Sequence, residues 1–187
     1  MNKTICVFCG SKDGNNLNII AKAADLGRAL AEEGFSIIFG GGRLGLMGSV
    51  ARAAIESNGR VIGIIPTGLT SREPVQLELT ELFLVDDIIE RKRLMIEKSD
   101  AFLILPGGLG TLDELFEVWT GRQVKAHNKP IIIGNWDGYY DKLLSFLHQA
   151  DHHGFLNGDH LDGVAILKSV EEMIGTLKTT FAGTNSR

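Results

Sequence analysis

The chain has 187 residues, 44% of them hydrophobic and 22% charged, with 23 glycines and a formal net charge of −4. That length suits a single domain, 1–187, with a substantial core, and the acidic balance offers no general attraction for nucleic acid or an anionic membrane. Neither a secretory leader nor an apolar run near the roughly 20 residues that span a bilayer is apparent, so a soluble, cytoplasmic protein is expected.

The first apolar run, Thr4–Phe8, reads as a buried strand that opens onto Cys9-Gly10-Ser11. Cys6 and Cys9 have the spacing of a redox pair, yet residues three apart on a strand face opposite ways, and no second cysteine pair completes a metal site. Ordinary thiols and no metal are expected. A helical pattern over Ile19–Glu33 stops at Gly34, and the strand Ser36–Phe39 runs into the glycine-rich segment Gly40–Gly48. Gly40, Gly42 and Gly45 spell a formal G-x-G-x-x-G between strand and helix. The strand that follows the Leu46–Ser57 helix, Val61–Ile65, ends at Pro66-Thr67 without the acidic residue a dinucleotide ribose requires. No G-x-x-x-x-G-K-[ST] occurs either. Hydride transfer and ATP hydrolysis therefore drop in rank.

Pro66–Pro74 reads as a mobile loop, and Leu82–Val85 as the next strand. The helix Ile88–Ser99 begins with Glu90-Arg91-Lys92-Arg93. Such a run is ordinarily a solvated face, but basic residues at a helix start oppose the dipole unless something negative lies near. A phosphate, or a carboxylate such as Glu114, would supply it. Strand Ala101–Leu105 then leads through Pro106–Glu114 into the helix Thr111–Gln123. Strands Ile131–Gly134 and Val164–Leu167 and helices Tyr139–Ala150 and Val170–Leu177 complete the pattern, with fraying expected from about Thr179. His148, His152 and His153 show no zinc pattern. The repeated alternation predicts a doubly wound α/β fold, a mostly parallel sheet of about seven strands with helices on both faces.

Right-handed crossovers bring the loops after the strands to one edge of that sheet, where such folds bind ligands. Three of those loops carry glycine. In Pro106-Gly107-Gly108-Leu109-Gly110-Thr111-Leu112-Asp113-Glu114, a glycine turn meets a helix start, which suits a phosphate. Thr111…Glu114 also reads as a capping box, which would account for the carboxylate without chemistry. The three glycines exceed what a cap requires. Glu117, three residues beyond Glu114, faces the same side of the helix.

With these residues in view, the chain resembles the LOG family, the cytokinin riboside 5′-monophosphate phosphoribohydrolases, whose members also carry the label lysine decarboxylase. The likeness covers nearly the whole chain: Val7–Ser11, Gly40–Gly48, Val61–Pro66, Glu90-Arg91-Lys92, Pro106–Glu114 and Asp137–Tyr140. The family's G-G-x-G-T-x-x-E falls on Gly107, Gly108, Gly110, Thr111 and Glu114. Two departures stand out: Ile88-Ile89 replaces the usual Met-His, and Lys12 stands where a small polar residue is usual.

The resemblance implies a Rossmann-like homodimer with its sites at or near the subunit interface, and no cofactor. It implies hydrolysis of the N-glycosidic bond of a purine nucleoside 5′-monophosphate, with Arg91 and Glu114 as the catalytic pair. Gly107, Gly108, Gly110 and Thr111 would hold the phosphate. Ser11, Gly42, Lys92 and Met95 would line the nucleotide pocket, and Glu117 would reach ribose hydroxyls. Arg91 is open to two roles, gripping phosphate or assisting the departing base. AMP and N6-isopentenyl-AMP remain equal candidates as substrate. The rival reading is a non-catalytic nucleotide or molybdenum-cofactor carrier, which would have no use for a carboxylate beside a phosphate. Nothing singles out a pyridoxal phosphate lysine for a decarboxylase.

Overall fold

The computed structural model describes residues 3–69, 75, 78–156, 158–159 and 161–183. Seven strands, β1 (Thr4–Phe8), β2 (Ser36–Phe39), β3 (Val61–Pro66), β4 (Glu81–Val85), β5 (Ala101–Ile104), β6 (Ile131–Gly134) and β7 (Val164–Leu167), form one sheet in the order β4-β3-β2-β1-β5-β6-β7. Every neighbouring pair is parallel. The chain winds outward from β1 to β4, then returns to lay β5 along the free side of β1. A crevice opens beyond the strand ends at such a reversal.

Six α-helices cover the sheet: α1 (Leu17–Glu32), α2 (Gly45–Glu56), α3 (Ile88–Glu97), α4 (Leu109–Gln123), α5 (Asp141–His152) and α6 (Val170–Ala182). Because successive strand side chains face opposite ways, each strand feeds two apolar layers. Ile5, Val7, Ile37 and Phe39 pack with Leu26, Val50 and Leu177 from α1, α2 and α6. Cys6, Phe8, Ile38 and Ile104 pack with Met95, Leu115 and Leu147 from α3, α4 and α5. The five inner strands are buried at every position except Thr4, as continuous apolar runs require. Cys6 and Cys9 fall in different layers, both buried and free. Burial pushes both thiols above their ordinary range.

Helix starts differ from the sequence reading. α4 begins at Leu109 with Gly108 at its N-cap and no side-chain cap bond. Thr111 lies inside the first turn, buried, against the Cα of Gly107. The Thr111…Glu114 capping box therefore does not form. One does form at α6, where Ser169 and Glu172 satisfy each other's backbone N–H groups. α5 starts at Asp141 because Trp136–Gly138 make a 3₁₀ turn with Asp137 at φ 53°. α6 continues to Ala182, past the expected fraying point at Thr179, while 184–187 lie outside the described residues. Of the predicted loop Pro66–Pro74, Pro66 closes β3, Thr67–Leu69 form a 3₁₀ turn, and 70–74 lie outside the described residues.

Helices α1 and α2 approach so closely that a Cβ on Gly27 would run into the Val50 backbone. Backbone cannot move aside as a flexible side chain can. Gly27→Ala should therefore lower unfolding stability by ~1–3 kcal/mol, measured by urea denaturation.

Candidate active site

Loops from the carboxyl ends of β1, β2, β5 and β6 meet around a cavity of about 710 Å³ at the sheet's point of reversal. Two backbone bonds set its frame. Gly10 N–H donates to Pro106 O at 3.0 Å, joining the loops after β1 and β5, and Met47 N–H donates to Gly10 O at 3.2 Å, adding α2. Gly45, at φ 66°, lies against the backbone of Ser11 and Lys12, where no Cβ fits.

One wall is the start of α4. Leu112 N–H bonds back to Gly108 O at 3.0 Å, but no hydrogen bond among the described residues engages the N–H groups of Gly108, Leu109, Gly110 or Thr111. Nothing lies within 4 Å of where a Cβ would stand on Gly108 or Gly110. The turn thus presents bare donors, at the positive end of a helix dipole, to open space.

The facing wall comes from α3. Its start is stabilised in the ordinary way, with Asp87 accepting from Ile89 N–H and Glu90 N–H, each at 2.8 Å. Glu90 reaches back to Asp86 N–H at 3.0 Å. These carboxylates answer the dipole and leave Arg91 and Lys92 free to turn toward α4. Arg91 and Glu114 stand 4.0 Å apart, their side chains only 8% and 13% exposed. The Arg91 guanidinium occupies the space a Cβ on Gly40 would take, and its Nε has no hydrogen-bond partner. Lys92 bonds to Asp113 at 2.9 Å and to Glu117 at 2.7 Å. The Glu117 carboxylate, helped by Asp113, holds its ammonium above the ordinary lysine range.

Burial dominates at Glu114 and pushes its carboxyl up to about 7. Arg91 and Lys92 pull it down, while the negative charges of Asp113 and Glu117 add to the rise. A carboxyl poised there exchanges a proton near neutral pH, as a general acid or base must.

Of the sequence-predicted residues, Ser11, Arg91, Lys92 and Glu114 line the cavity, as do Gly107, Gly108, Gly110 and Thr111. Three do not. Gly42 is buried and bridged to Val75, Met95 is fully buried in the core beneath α3, and Glu117 is held by Lys92 one turn beyond Glu114. Shared helix face was the wrong guide to Glu117, because Lys92 claims its carboxylate.

The loop after β6 is the part sequence reasoning missed as a wall of the site. Trp136, Asp137 and Tyr139 line the cavity. Asp137 accepts from Asn16 at 3.0 Å, Asn18 at 2.9 Å and Lys22 at 2.9 Å, and these bonds lower its pKa. The Asp137-Gly138 turn signal, placed after a strand on the shared edge, marked this loop in the sequence. Among the described residues no helix is long and apolar enough to cross a membrane, and no cluster of His, Cys, Asp and Glu could hold a metal ion.

Residues 47–177 match a family model described as "Possible lysine decarboxylase". The chain is 40% identical to the cytokinin riboside 5′-monophosphate phosphoribohydrolase of Rhodococcoides fascians, over 95% of this chain and 90% of that protein. It is 40% identical to LOG3 of Arabidopsis thaliana, of the same name, over 94% and 82%. A rice relative, "Probable cytokinin riboside 5′-monophosphate phosphoribohydrolase LOGL5", is 44% identical over 83% of this chain, a match that spans 63% of the rice protein. Among solved structures, the molybdenum cofactor carrier protein of Chlamydomonas reinhardtii superposes with a TM-score of 0.76 at 20% identity, covering 97% and 99% of the two chains. The molybdenum cofactor binding protein of Rippkaea orientalis gives 0.74 at 24%, covering 97% and 98%. At these identities the structural likeness speaks for the fold alone.

Glu114 has a measurable signature in stability. Its carboxyl titrates near 4.5 when unfolded and near 7 when folded. Both forms are protonated below the lower value. Between the two the unfolded chain loses its proton first, so stability falls as pH rises, and above about 7 the loss is complete. Glu114→Gln removes that slope. Urea denaturation should show the variant gaining on wild type by on the order of 3 kcal/mol between pH about 4.5 and about 8.

Proposed function

The chain belongs to the LOG family of cytokinin riboside 5′-monophosphate phosphoribohydrolases, and from that membership and the cavity's chemistry we propose that it hydrolyses purine nucleoside 5′-monophosphates to free base and ribose 5-phosphate. One observation carries the proposal: a buried carboxylate and a buried guanidinium, 4.0 Å apart, beside an uncapped helix start.

The N–H groups of Gly108 to Thr111 receive the 5′-phosphate. Held by that remote group, the ribose lies over Glu114, and the phosphate's binding energy is spent on orientation. Cleavage of the glycosidic bond leaves positive charge on the sugar. Ionised Glu114 stabilises that charge and takes a proton from the attacking water. Arg91 keeps a buried N–H without a partner, so it has a donor to offer the purine as negative charge develops there. Ile19, Leu46, Met47 and Ile88 give the cavity an apolar side, which suits AMP and its N6-alkylated forms.

A carrier needs only to hold its anion, and a carboxylate buried beside the cradle works against that. Decarboxylation through a lysine imine is poorly served by Lys92, which two carboxylates hold as an ammonium. The proposal includes a homodimer. Ile88 at the cavity mouth, Ile89 beside it at 70% exposure and Leu109 at 86% form the apolar surface that a second copy would cover.

Chromatography of reactions with AMP and with N6-isopentenyl-AMP should show base and ribose 5-phosphate released together. Glu114→Gln should lose ~10²–10⁴ in kcat with the fold intact, and a variant that kept its rate would remove Glu114 from the chemistry. Because the ionised carboxylate is the working form, wild-type kcat should climb as pH rises through about 7. Light scattering should give twice the chain mass, and Ile89→Glu should shift it toward the monomer.

A further inference from the structure

The N–H groups of the β5–α4 turn are only half of what faces an anion, because each peptide also carries a carbonyl that repels one. In this turn the carbonyls are engaged in succession. Leu105 O accepts from the Tyr140 phenol at 2.7 Å, Pro106 O from Gly10 N–H at 3.0 Å, Gly107 O from the Tyr139 phenol at 2.7 Å, and Gly108 O from Leu112 N–H at 3.0 Å. Two of the four donors are adjacent side chains from a different loop, the one after β6.

From this arrangement we infer that Tyr139 and Tyr140 are positioning residues for anion binding: their phenols draw the carbonyls of Leu105 and Gly107 aside, so that the turn meets a ligand with donors alone. The inference rests on the proposed function for the identity of the anion, a sugar phosphate. The peptide between Gly107 and Gly108 is trans, so fixing its carbonyl on Tyr139 points the Gly108 N–H the opposite way. A hydrogen bond to that carbonyl also polarises the peptide and strengthens the N–H as a donor. The peptide before Pro106 has no N–H, and there Tyr140 only removes an acceptor.

The β6 loop is built to hold the phenols still. Asn135, buried, accepts from Tyr140 N–H at 2.8 Å and donates to Asp141 at 2.7 Å. The two rings meet edge to face, with centroids 4.9 Å apart. Tyr140 is buried and Tyr139 half-exposed, so Tyr139 can lose its hydroxyl while the ring packing stays. From the same loop, Asp137 holds Asn16, at the end of the β1–α1 loop, and Asn18 and Lys22 of α1. One connection thereby spaces the β1–α1 and β5–α4 loops between which the ligand would lie.

The test compares Tyr139→Phe with its parent by calorimetry, using ribose 5-phosphate and adenosine in the wild-type background and AMP in the Glu114→Gln background, where it is not turned over. The variant should bind both phosphorylated ligands ~3–10-fold more weakly, the effect of one lost hydrogen bond, and bind adenosine as wild type does. With AMP as substrate, kcat/KM should fall by about the same factor, because the weakened phosphate grip is also what orients the ribose. Tyr140→Phe should show the same selectivity. Unchanged ribose 5-phosphate binding in Tyr139→Phe would overturn the inference, and so would equal weakening of all three ligands together with a lower melting temperature. A wild type that released no base from any nucleotide would instead defeat the hydrolase reading, and the ribose 5-phosphate affinities would still decide the role of the phenols.

Discussion

A carboxylate buried within 4.0 Å of a buried guanidinium, without a close hydrogen bond between them, is the constraint around which the rest of the site is arranged. Removing both ions from water costs several kcal/mol each, on the order of what a small domain has to spare. Arg91 therefore only tempers the rise that burial imposes on Glu114. The surroundings sharpen the poise. Lys92 is drawn onto Asp113 and Glu117, which leaves Glu114 without the direct ammonium contact that would keep it firmly ionised. The two helices must then stay in register, because Lys92 and Arg91 on α3 reach partners on α4. The glycine at position 40 follows from the same requirement, since a methyl group there would take the guanidinium's place.

The chain's net charge is −4, yet its cavity is suited to an anion. Backbone supplies the difference. Uncapped N–H groups at the head of α4 contribute fixed positive ends, and carbonyls turned aside remove the negative ones. Dipoles held by a folded loop need no reorganisation when a ligand arrives, whereas long basic side chains would have to be ordered. Under the proposed function, anion binding is thus a property of conformation. Among the residues proposed to control it are two tyrosines, and burial pushes the Tyr140 phenol above its ordinary range.

Much of this was legible in the sequence, for physical reasons that differ from place to place. Runs such as Ala101–Leu105 and Ile131–Gly134 announce a doubly covered parallel sheet because both faces must be apolar. Sheet topology then brings separate glycine loops to one edge, while the pairing of Arg91 with Glu114 came from the family resemblance. Gly42 and Met95 were assigned to the pocket through the family resemblance and Glu117 through a helix face shared with Glu114, and such assignments fail where side-chain direction decides. Met95 points into the core, and Glu117 answers Lys92 rather than the cavity. The grip of Tyr139 on Gly107 spans 32 positions and that of Asn16 on Asp137 spans 121. No local periodicity encodes bonds of that reach.

The two helices that begin with a hydroxyl and a glutamate three residues on show how much tertiary contact adds to a motif. At α6, Ser169 takes the cap position and Glu172 completes the reciprocal pair, so the helix start is satisfied from within. At α4 the same spacing, Thr111 to Glu114, is shifted into the helix by the glycine turn. Thr111 faces inward against Gly107, and Gly108 caps with backbone only. With glycine at the N-cap, forgoing a side-chain cap costs about a few tenths of a kcal/mol of helix stability. That cost has a counterpart on binding, because an anion seated on the bare N–H groups supplies the partners the missing cap would have provided. Ligand affinity and folded stability are thermodynamically linked, so the deficit left at the head of α4 is returned when the site fills. An optimised cap at Gly108 would stabilise the empty protein and compete with its ligand for the same donors.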